Sequence, residues 1–228
     1  MDSVIDDREA HCMEILDRLY ETYPDSTISL NFSNRLELLI AVILSAQCTD
    51  ERVNAVTSEL FNTYPSVDAF ADADQDVLAE DIGSITYFNS KASYIRESCQ
   101  QIRRDHDGHV PDTMEALTEL PGVGRKTANV VLQHGHNIRK GVVVDTHVQR
   151  LSRRLGLTDK ATPESIEAEL MTLLPKKHWQ EFTHLMISHG RETCTARNPD
   201  CESCVLADRC PSDRTTADID LASGDSWH

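Results

Sequence analysis

The sequence predicts an all-α protein, and three observations carry that reading. Leucine, isoleucine, valine and alanine recur at helical spacing, aromatic residues make up only 5% of the chain, and the alternation expected of strands is scarce. With 228 residues and 39% hydrophobic content, the chain can bury a sizeable aliphatic core in one large or two modest domains.

The first expected helix covers residues 8–23, with Ile15, Leu16 and Leu19 on one face and Pro24 beyond its end. Residues 35–47, RLELLIAVILSAQ, are apolar almost all round, which marks a buried central helix whose C-terminal end carries Gln47. Further helices are expected at 50–63, 75–81, 90–104 and 112–119, divided by turn signals such as Tyr64-Pro65, Asp107-Gly108 and Pro111. After the glycine turn LPGVGRKTA, residues 120–128, a helix runs to about residue 134. The segment GVVVDTHVQRLSRRLG then supplies a short extended piece and a helix from about 146 to 155, with Gly156 as its stop. Helices at 163–173 and 177–189 complete the pattern, and residues 211–228 lack periodicity and read as a mobile acidic tail.

Charge is distributed unevenly. The formal net charge is −16, with six lysines against sixteen arginines and twenty-two aspartates against sixteen glutamates. An aspartate-rich, lysine-poor surface suits a salt-rich cytoplasm, because net charge maintains solubility while salt screens the self-repulsion. Against that background, residues 120–154 hold seven Arg or Lys and a single acid, Asp145, whereas residues 67–81 hold six acids and no base. A local basic field predicts a polyanionic partner, most often nucleic acid. The N-terminus lacks the pattern of a secretory signal, and the longest apolar run, residues 38–46, is too short to span a bilayer. A cytoplasmic protein with no membrane partner is expected, and with no surplus apolar stripe for a partner helix, a monomer.

The turn itself is chemically suggestive. Two glycines around Val123 allow a tight helical hairpin, and the amides of Gly122 and Gly124, with the start of the next helix, can face a phosphate. GVGRKT is no P-loop, since Arg125 stands where that motif needs glycine and no strand precedes it. Lys126 lies in the first turn of the following helix, where the dipole disfavours a cation. Arg125 and the helix end favour its neutral amine, the form that attacks carbon. Asp145, in VVVDTHV, is both a candidate N-cap and the carboxylate best placed in the sequence to accept a proton.

Cys194, Cys201, Cys204 and Cys210 follow the spacing C-x6-C-x2-C-x5-C, four thiolates within seventeen residues, which in a reducing compartment signals a metal centre. The spacing alone leaves zinc and iron-sulfur open. Cys12, Cys48 and Cys99 are scattered through helical segments and are expected to pack in the core.

Together LPGVGRKTANVV, VDTHVQRL, HGRETC and the four-cysteine ending resemble endonuclease III of the helix-hairpin-helix DNA glycosylases, over roughly residues 8–210. LLIAVILSAQCTD (38–50) and FNSKA (88–92) extend the likeness. The resemblance implies a two-domain all-α fold with the active site in the cleft between domains. A six-helix barrel would span about 28–137, and an iron-sulfur domain would combine 1–27 with 138–210. The four cysteines would hold a [4Fe-4S] cluster, and duplex DNA with damaged pyrimidines or abasic sites would be the substrate.

By the same likeness Lys126 is the nucleophile and Asp145 the essential carboxylate of a bifunctional glycosylase and lyase that needs no divalent metal for its chemistry. Gln47 would fill the gap left by the flipped base, and Tyr87 stands where the family usually inserts a leucine, with Thr86 where a glycine is common. DNA contacts are implied for Gly122, Val123, Gly124, Arg125, Thr127, Lys91 and Arg197, and pocket positions for Ser45, Asp50 and His147. Asp200 beside Arg197 weakens the basic character of the loop between the first two cysteines. The competing readings are a monofunctional adenine or mismatch glycosylase, opposed by Lys126, a non-catalytic iron-sulfur module that binds DNA, and a zinc-stabilised regulator.

Overall fold

The computed structural model describes residues 2–212, and every regular element among them is helical. The helices are α1 (Asp2–Thr22), α2 (Arg35–Ser45), α3 (Asp50–Thr63), α4 (Val67–Ala71), α5 (Gln75–Asp81), α6 (Phe88–Asp105), α7 (Met114–Thr118), α8 (Arg125–His136), α9 (Thr146–Arg154), α10 (Pro163–Leu173) and α11 (Trp179–Glu192), with a 3-10 turn at Lys176–His178. None of the described helices is long and apolar enough to cross a membrane. Of the expected tail only Pro211 and Ser212 are described; residues 213–228 lie outside.

The chain divides into two compact units, one of residues 28–143 and one of the segments up to 27 and from 144. The resemblance placed the second boundary at 137. The connection beyond α8 stays with the 28–143 unit because Ile138 N–H donates to the Leu132 carbonyl at 2.9 Å and Gln133 Nε2 donates to the Gly141 carbonyl at 2.7 Å. Val142 and Val143 are buried as well.

In the 28–143 unit, α2 is the central helix. Leu38 to Leu44 are buried without interruption, as the all-round apolar pattern requires, and α3, α6 and α8 pack against it. Asn34 starts α2 by accepting from Glu37 N–H at 3.0 Å while Glu37 accepts from Ser33 N–H at 2.6 Å, a reciprocal cap. Helix α4 has no counterpart in the sequence reading, because one turn is too short to show a period. It forms because Ser66 caps Ala69 N–H and Phe70 is fully buried, stacked 5.0 Å from Tyr64. The unit therefore contains seven described helices where six were expected.

In the other unit, Ile15, Leu16 and Leu19 of α1 are buried as their spacing predicts, and α1 packs on α10 and α11. Each such side chain contributes about 1.5–3 kcal/mol on burial. Gly156 (φ 72°) ends α9 as expected: its own N–H reaches the Arg153 carbonyl at 3.2 Å, and Leu157 N–H reaches that of Ser152 at 2.9 Å. Cys12 and Cys99 are core residues, and burial raises both thiols to about 12. Cys48 is only half-buried.

Gly190 sets how closely α9 approaches α11, since a Cβ there would lie 2.6 Å from His147 Nδ1 and 3.1 Å from Arg150 Nη2. Gly190→Ala is therefore expected to destabilise the fold by about 1–3 kcal/mol. Urea unfolding of the two proteins measures it, and an unchanged midpoint would show that the helices separate without cost.

Candidate functional site

The glycine turn joins α7 to α8. Val123 N–H donates to the Leu120 carbonyl at 3.1 Å across Pro121 and Gly122, and Gly122 has φ 75°. Proline followed by a left-handed residue is the signature of a type II turn. A Cβ on Gly122 would also stand 2.7 Å from the Tyr94 ring, so both backbone angle and close approach demand glycine. Ser98 Oγ fastens the turn to α6 by donating to the Pro121 carbonyl at 2.9 Å.

Gly124 is different. It is the N-cap of α8 in an extended conformation, supplies no side-chain cap, and a Cβ there would meet nothing within 4 Å. The fold does not need glycine at this position, and the open space leaves the amides of the first turn of α8 accessible to an anion. Arg125 and Lys126 are exposed beside it and Thr127 is half-buried. Val123 corrects the expectation of a DNA contact: its N–H is already spent on Leu120 and its side chain is 5% exposed, so it anchors the hairpin.

Gln47 lies two residues past the end of α2, in a second turn of the same type. Ala46 has φ −57° and ψ 117°, Gln47 has φ 53°, and Cys48 N–H donates to the Ser45 carbonyl at 3.1 Å. Tyr87, the N-cap of α6, is also left-handed (φ 57°, ψ 35°) and is 64% exposed. Left-handed backbone at non-glycine residues costs on the order of 1–3 kcal/mol each, and both costs fall on exposed side chains that the resemblance assigns to DNA. Ser45 Oγ donates back to the Val42 carbonyl at 2.9 Å, and Asp50, the first residue of α3, is half-buried behind the Thr49 cap.

Lys91 is a second correction. Its side chain is 4% exposed, and Nζ donates to the carbonyls of Leu44 at 2.9 Å and Ala46 at 2.6 Å. The ammonium serves the C-terminal end of α2, where a cation is favoured, and does not face a phosphate. Burial lowers its pKa.

In the other unit Asp145 is the N-cap of α9, and its Oδ1 accepts from Val148 N–H at 2.8 Å. Two imidazoles feel its charge. Burial lowers the pKa of His147, with Asp145 opposing, and burial likewise pushes His184 down to about 4 against the pull of Asp145. His184 escaped the sequence reading because a lone histidine inside an amphipathic helix carries no signal of what it faces.

Cys194, Cys201, Cys204 and Cys210 line one cavity of about 590 Å³ together with Arg154 and His189. Burial raises the Cys204 thiol, and charge on Cys194, Cys210 and Cys201 raises it further. Gathered thiolates of this kind call for a positively charged centre to relieve their repulsion. Among the described residues no three His, Cys, Asp or Glu side chains converge on a single ion, and four cysteine thiolates are the donor set of an iron-sulfur cluster. His189, held at about 4 by burial, faces Cys204 Sγ at 3.5 Å through Nε2 and the Tyr23 hydroxyl at 3.3 Å through Nδ1. A neutral ring that donates to sulfur and accepts from tyrosine satisfies both.

The basic stretch is not a single surface field. Arg154 donates to Cys194 Sγ at 3.3 Å and to the carbonyls of Thr195 at 2.8 Å and Ala196 at 2.9 Å, while its own carbonyl accepts from Ser212 Oγ at 2.7 Å. Arg150 donates to the carbonyls of Gly190 and Cys194, each at 3.0 Å. Both arginines fold the cysteine loop onto α9. Arg197, in that loop, remains exposed.

An all-helical scaffold with a glycine hairpin and a four-cysteine cage defines the class, an iron-sulfur helix-hairpin-helix protein. Residues 40–176 match the model of the HhH-GPD superfamily base excision DNA repair proteins, and residues 194–210 that of the iron-sulfur binding domain of endonuclease III. Endonuclease III of Synechocystis sp. is 50% identical over 205 residues, covering 90% of this chain and 94% of that protein. The Escherichia coli protein is 41% identical over 202 residues, covering 89% and 95%. A solved structure of a trapped endonuclease III–DNA covalent intermediate superposes with a TM-score of 0.86 at 39% identity, covering 90% of this chain and 96% of that one. The chain belongs to the endonuclease III family of base excision DNA repair proteins. It is a DNA glycosylase and abasic-site lyase whose cofactor is a [4Fe-4S] cluster.

The state of His184 sets a pH dependence. Its folded pKa lies below the ordinary 6.5, so the unfolded chain binds its proton first on acidification. The stability present above pH 6.5 is expected to be lost as pH falls toward 4. Unfolding free energies measured from pH 7 to 4 should fall more steeply for the natural protein than for His184→Gln, and parallel curves would contradict a buried neutral imidazole.

Proposed function

We propose that this chain excises oxidised pyrimidines from duplex DNA in the cytoplasm as a monomer, with Lys126 as nucleophile and Asp145 as the essential carboxylate. The observation that carries the reading is an exposed lysine in the first turn of α8, where the helix dipole opposes it, directly after an N-cap glycine whose Cβ space is open. A covalent protein–DNA intermediate is what the structurally similar endonuclease III complex contains, and an amine nucleophile accounts for one.

The damaged nucleotide is flipped out of the stack, since its glycosidic bond is inaccessible inside it. Gln47 fills the gap and Tyr87 stacks on the estranged base, which an exposed aromatic ring on a fixed left-handed turn is suited to do. Amides of Gly122 and Gly124, with Arg125, Thr127 and Arg197, hold phosphates, and Ser45, Asp50 and His147 are the residues that the resemblance assigns to the flipped base. Lys126 Nζ attacks the anomeric carbon, and the carboxylate of Asp145 accepts its proton and stabilises the positive charge that develops on the sugar. The base leaves with the bonding electrons of the glycosidic bond. The sugar ring then opens as the C1′–O4′ bond breaks and O4′ takes up a proton, leaving a Schiff base that acidifies the C2′ hydrogen, and loss of that proton expels the 3′ phosphate by β-elimination, which breaks the strand on the 3′ side. Cys194, Cys201, Cys204 and Cys210 would hold the cluster, which supplies a multinuclear cross-link for the loop between them.

Borohydride trapping on duplex DNA containing thymine glycol tests the assignment. The natural protein is expected to give a covalent adduct, and Lys126→Ala none. Asp145→Asn should bind the duplex yet excise at least about a hundredfold more slowly, the scale of a lost general base. An adduct that survives in Lys126→Ala would remove the nucleophile assignment, and no adduct with either protein would favour a monofunctional glycosylase.

Because Arg150 and Arg154 are committed to the cysteine loop, two of the seven cations of residues 120–154 are withdrawn from counterion release. The logarithm of DNA affinity is expected to fall with the logarithm of salt at a slope corresponding to fewer than about 6 phosphate contacts. A slope as steep as that of typical basic DNA-binding proteins would overturn the view that amides and base insertion dominate.

A further inference from the structure

Two type II turns serve this site, and they are built differently. The hairpin turn uses proline and glycine, for which the geometry is intrinsically favourable, whereas the turn at residues 45–48 places alanine and glutamine in the same positions. Something outside the turn must select its form. Type I and type II turns differ in ψ of the second residue and φ of the third, which amounts to turning over the peptide that joins them. In the 45–48 turn that peptide carries the Ala46 carbonyl, and Lys91 Nζ holds this oxygen at 2.6 Å and the Leu44 carbonyl at 2.9 Å.

We infer that Lys91 is a positioning residue: by holding the Ala46 carbonyl it keeps the central peptide in the type II orientation and so forces Gln47 into the left-handed conformation from which its side chain reaches DNA.

Three features favour this over simple helix capping. Leu44 alone would satisfy a cap, yet the shorter bond goes to Ala46, beyond the last helical residue. The ammonium is buried, so water does not compete for the carbonyls. The backbone N–H of Lys91 also donates to the Tyr87 carbonyl at 3.0 Å. That bond is the first intrahelical bond of α6, so Lys91 stands one turn from Tyr87 and its side chain links the start of α6 to the end of α2. Without the ammonium, the Ala46–Gln47 peptide is free to turn over and relieve the strain at Gln47, and the productive conformer becomes a minority.

The inference rests on Gln47 as the gap-filling residue proposed above, and the test separates the two. Holoenzyme variants Lys91→Met, Gln47→Ala and the double variant are compared in single-turnover excision of thymine glycol. Gap filling is read by 2-aminopurine fluorescence opposite a tetrahydrofuran abasic analogue. Lys91→Met is expected to slow excision and weaken the fluorescence change on the order of tenfold, the population scale set by left-handed strain. In the Gln47→Ala background the same change should cost almost nothing. A crystal structure of Lys91→Met should show residue 47 with negative φ. Lys91→Gln, which retains a donor, runs through the same cycle should the methionine variant fail to fold. Equal penalties in both backgrounds, or a retained positive φ at residue 47, would overturn the positioning role. A silent Gln47→Ala would remove the gap-filling reading instead, and the angle at residue 47 would still decide what Lys91 does.

Discussion

A helix leaves its first amides and last carbonyls without intrahelical partners, and in each unit the residues proposed for function stand at such ends. Lys126 stands in the first turn of α8, Asp145 caps α9, Tyr87 caps α6, Gln47 follows the end of α2, and Cys194 follows that of α11. With no strand among the described residues, these ends are where backbone groups are available to a ligand and where the chain adopts non-helical angles. Three of these ends are also stabilised by a bond from elsewhere in their unit: Ser98 to Pro121, Lys91 to Ala46, and Arg150 to Cys194. The apolar interiors hold the helices, and these few polar bonds decide where the ends point.

The same logic explains how so acidic a chain handles DNA. Its cations are few, and the structure allocates them to distinct tasks. Arg150 and Arg154 are spent on carbonyls and sulfur of the cysteine loop, and Lys91 on the end of α2. Charges withdrawn from water in this way need hydrogen-bond acceptors, and each of the three donates to carbonyl oxygens, although Arg150 Nε is left without a partner. Arg125, Lys126 and Arg197 keep exposed positions. A cation count along the sequence therefore overstates the electrostatic footprint, because a guanidinium in a helix end and one on a surface look alike in the chain.

What could be read from the sequence follows from how local its cause is. The hairpin was legible because proline and glycine in order dictate their turn, and the Asp145 cap because Asp before an apolar-periodic run has a local function. The buried helix at 35–45 announced itself by being apolar on every face. Lys91 was misread because FNSKA resembles a DNA-contacting motif, while the direction of a long side chain depends on what α2 leaves unpaired 47 residues away. Val123 was misread for the opposite reason: it belongs to the motif, but its N–H closes the turn. His184, His189 and Arg154 were passed over because their partners are brought to them only when the segments up to 27 and from 144 fold into one unit. Helix α4 offered a single turn, too little to reveal a period.

Asp145 shows why a helix end suits the catalytic role proposed for it as well as structure. A carboxylate that caps a helix is held in one rotamer by Val148 N–H, and the orientation of its oxygens is set before any substrate arrives. Capping occupies Oδ1, and the geometry of the carboxylate then fixes Oδ2. The neighbouring imidazoles, kept neutral by burial, add no cation that would compete for it. Preorganisation of this kind is worth most where charge develops only in the transition state, because nothing has to be reoriented at that moment. The stability of α9 and the fixed orientation of the Asp145 carboxylate thus arise from one hydrogen bond, and a change that weakens the cap loosens the group proposed as the essential carboxylate.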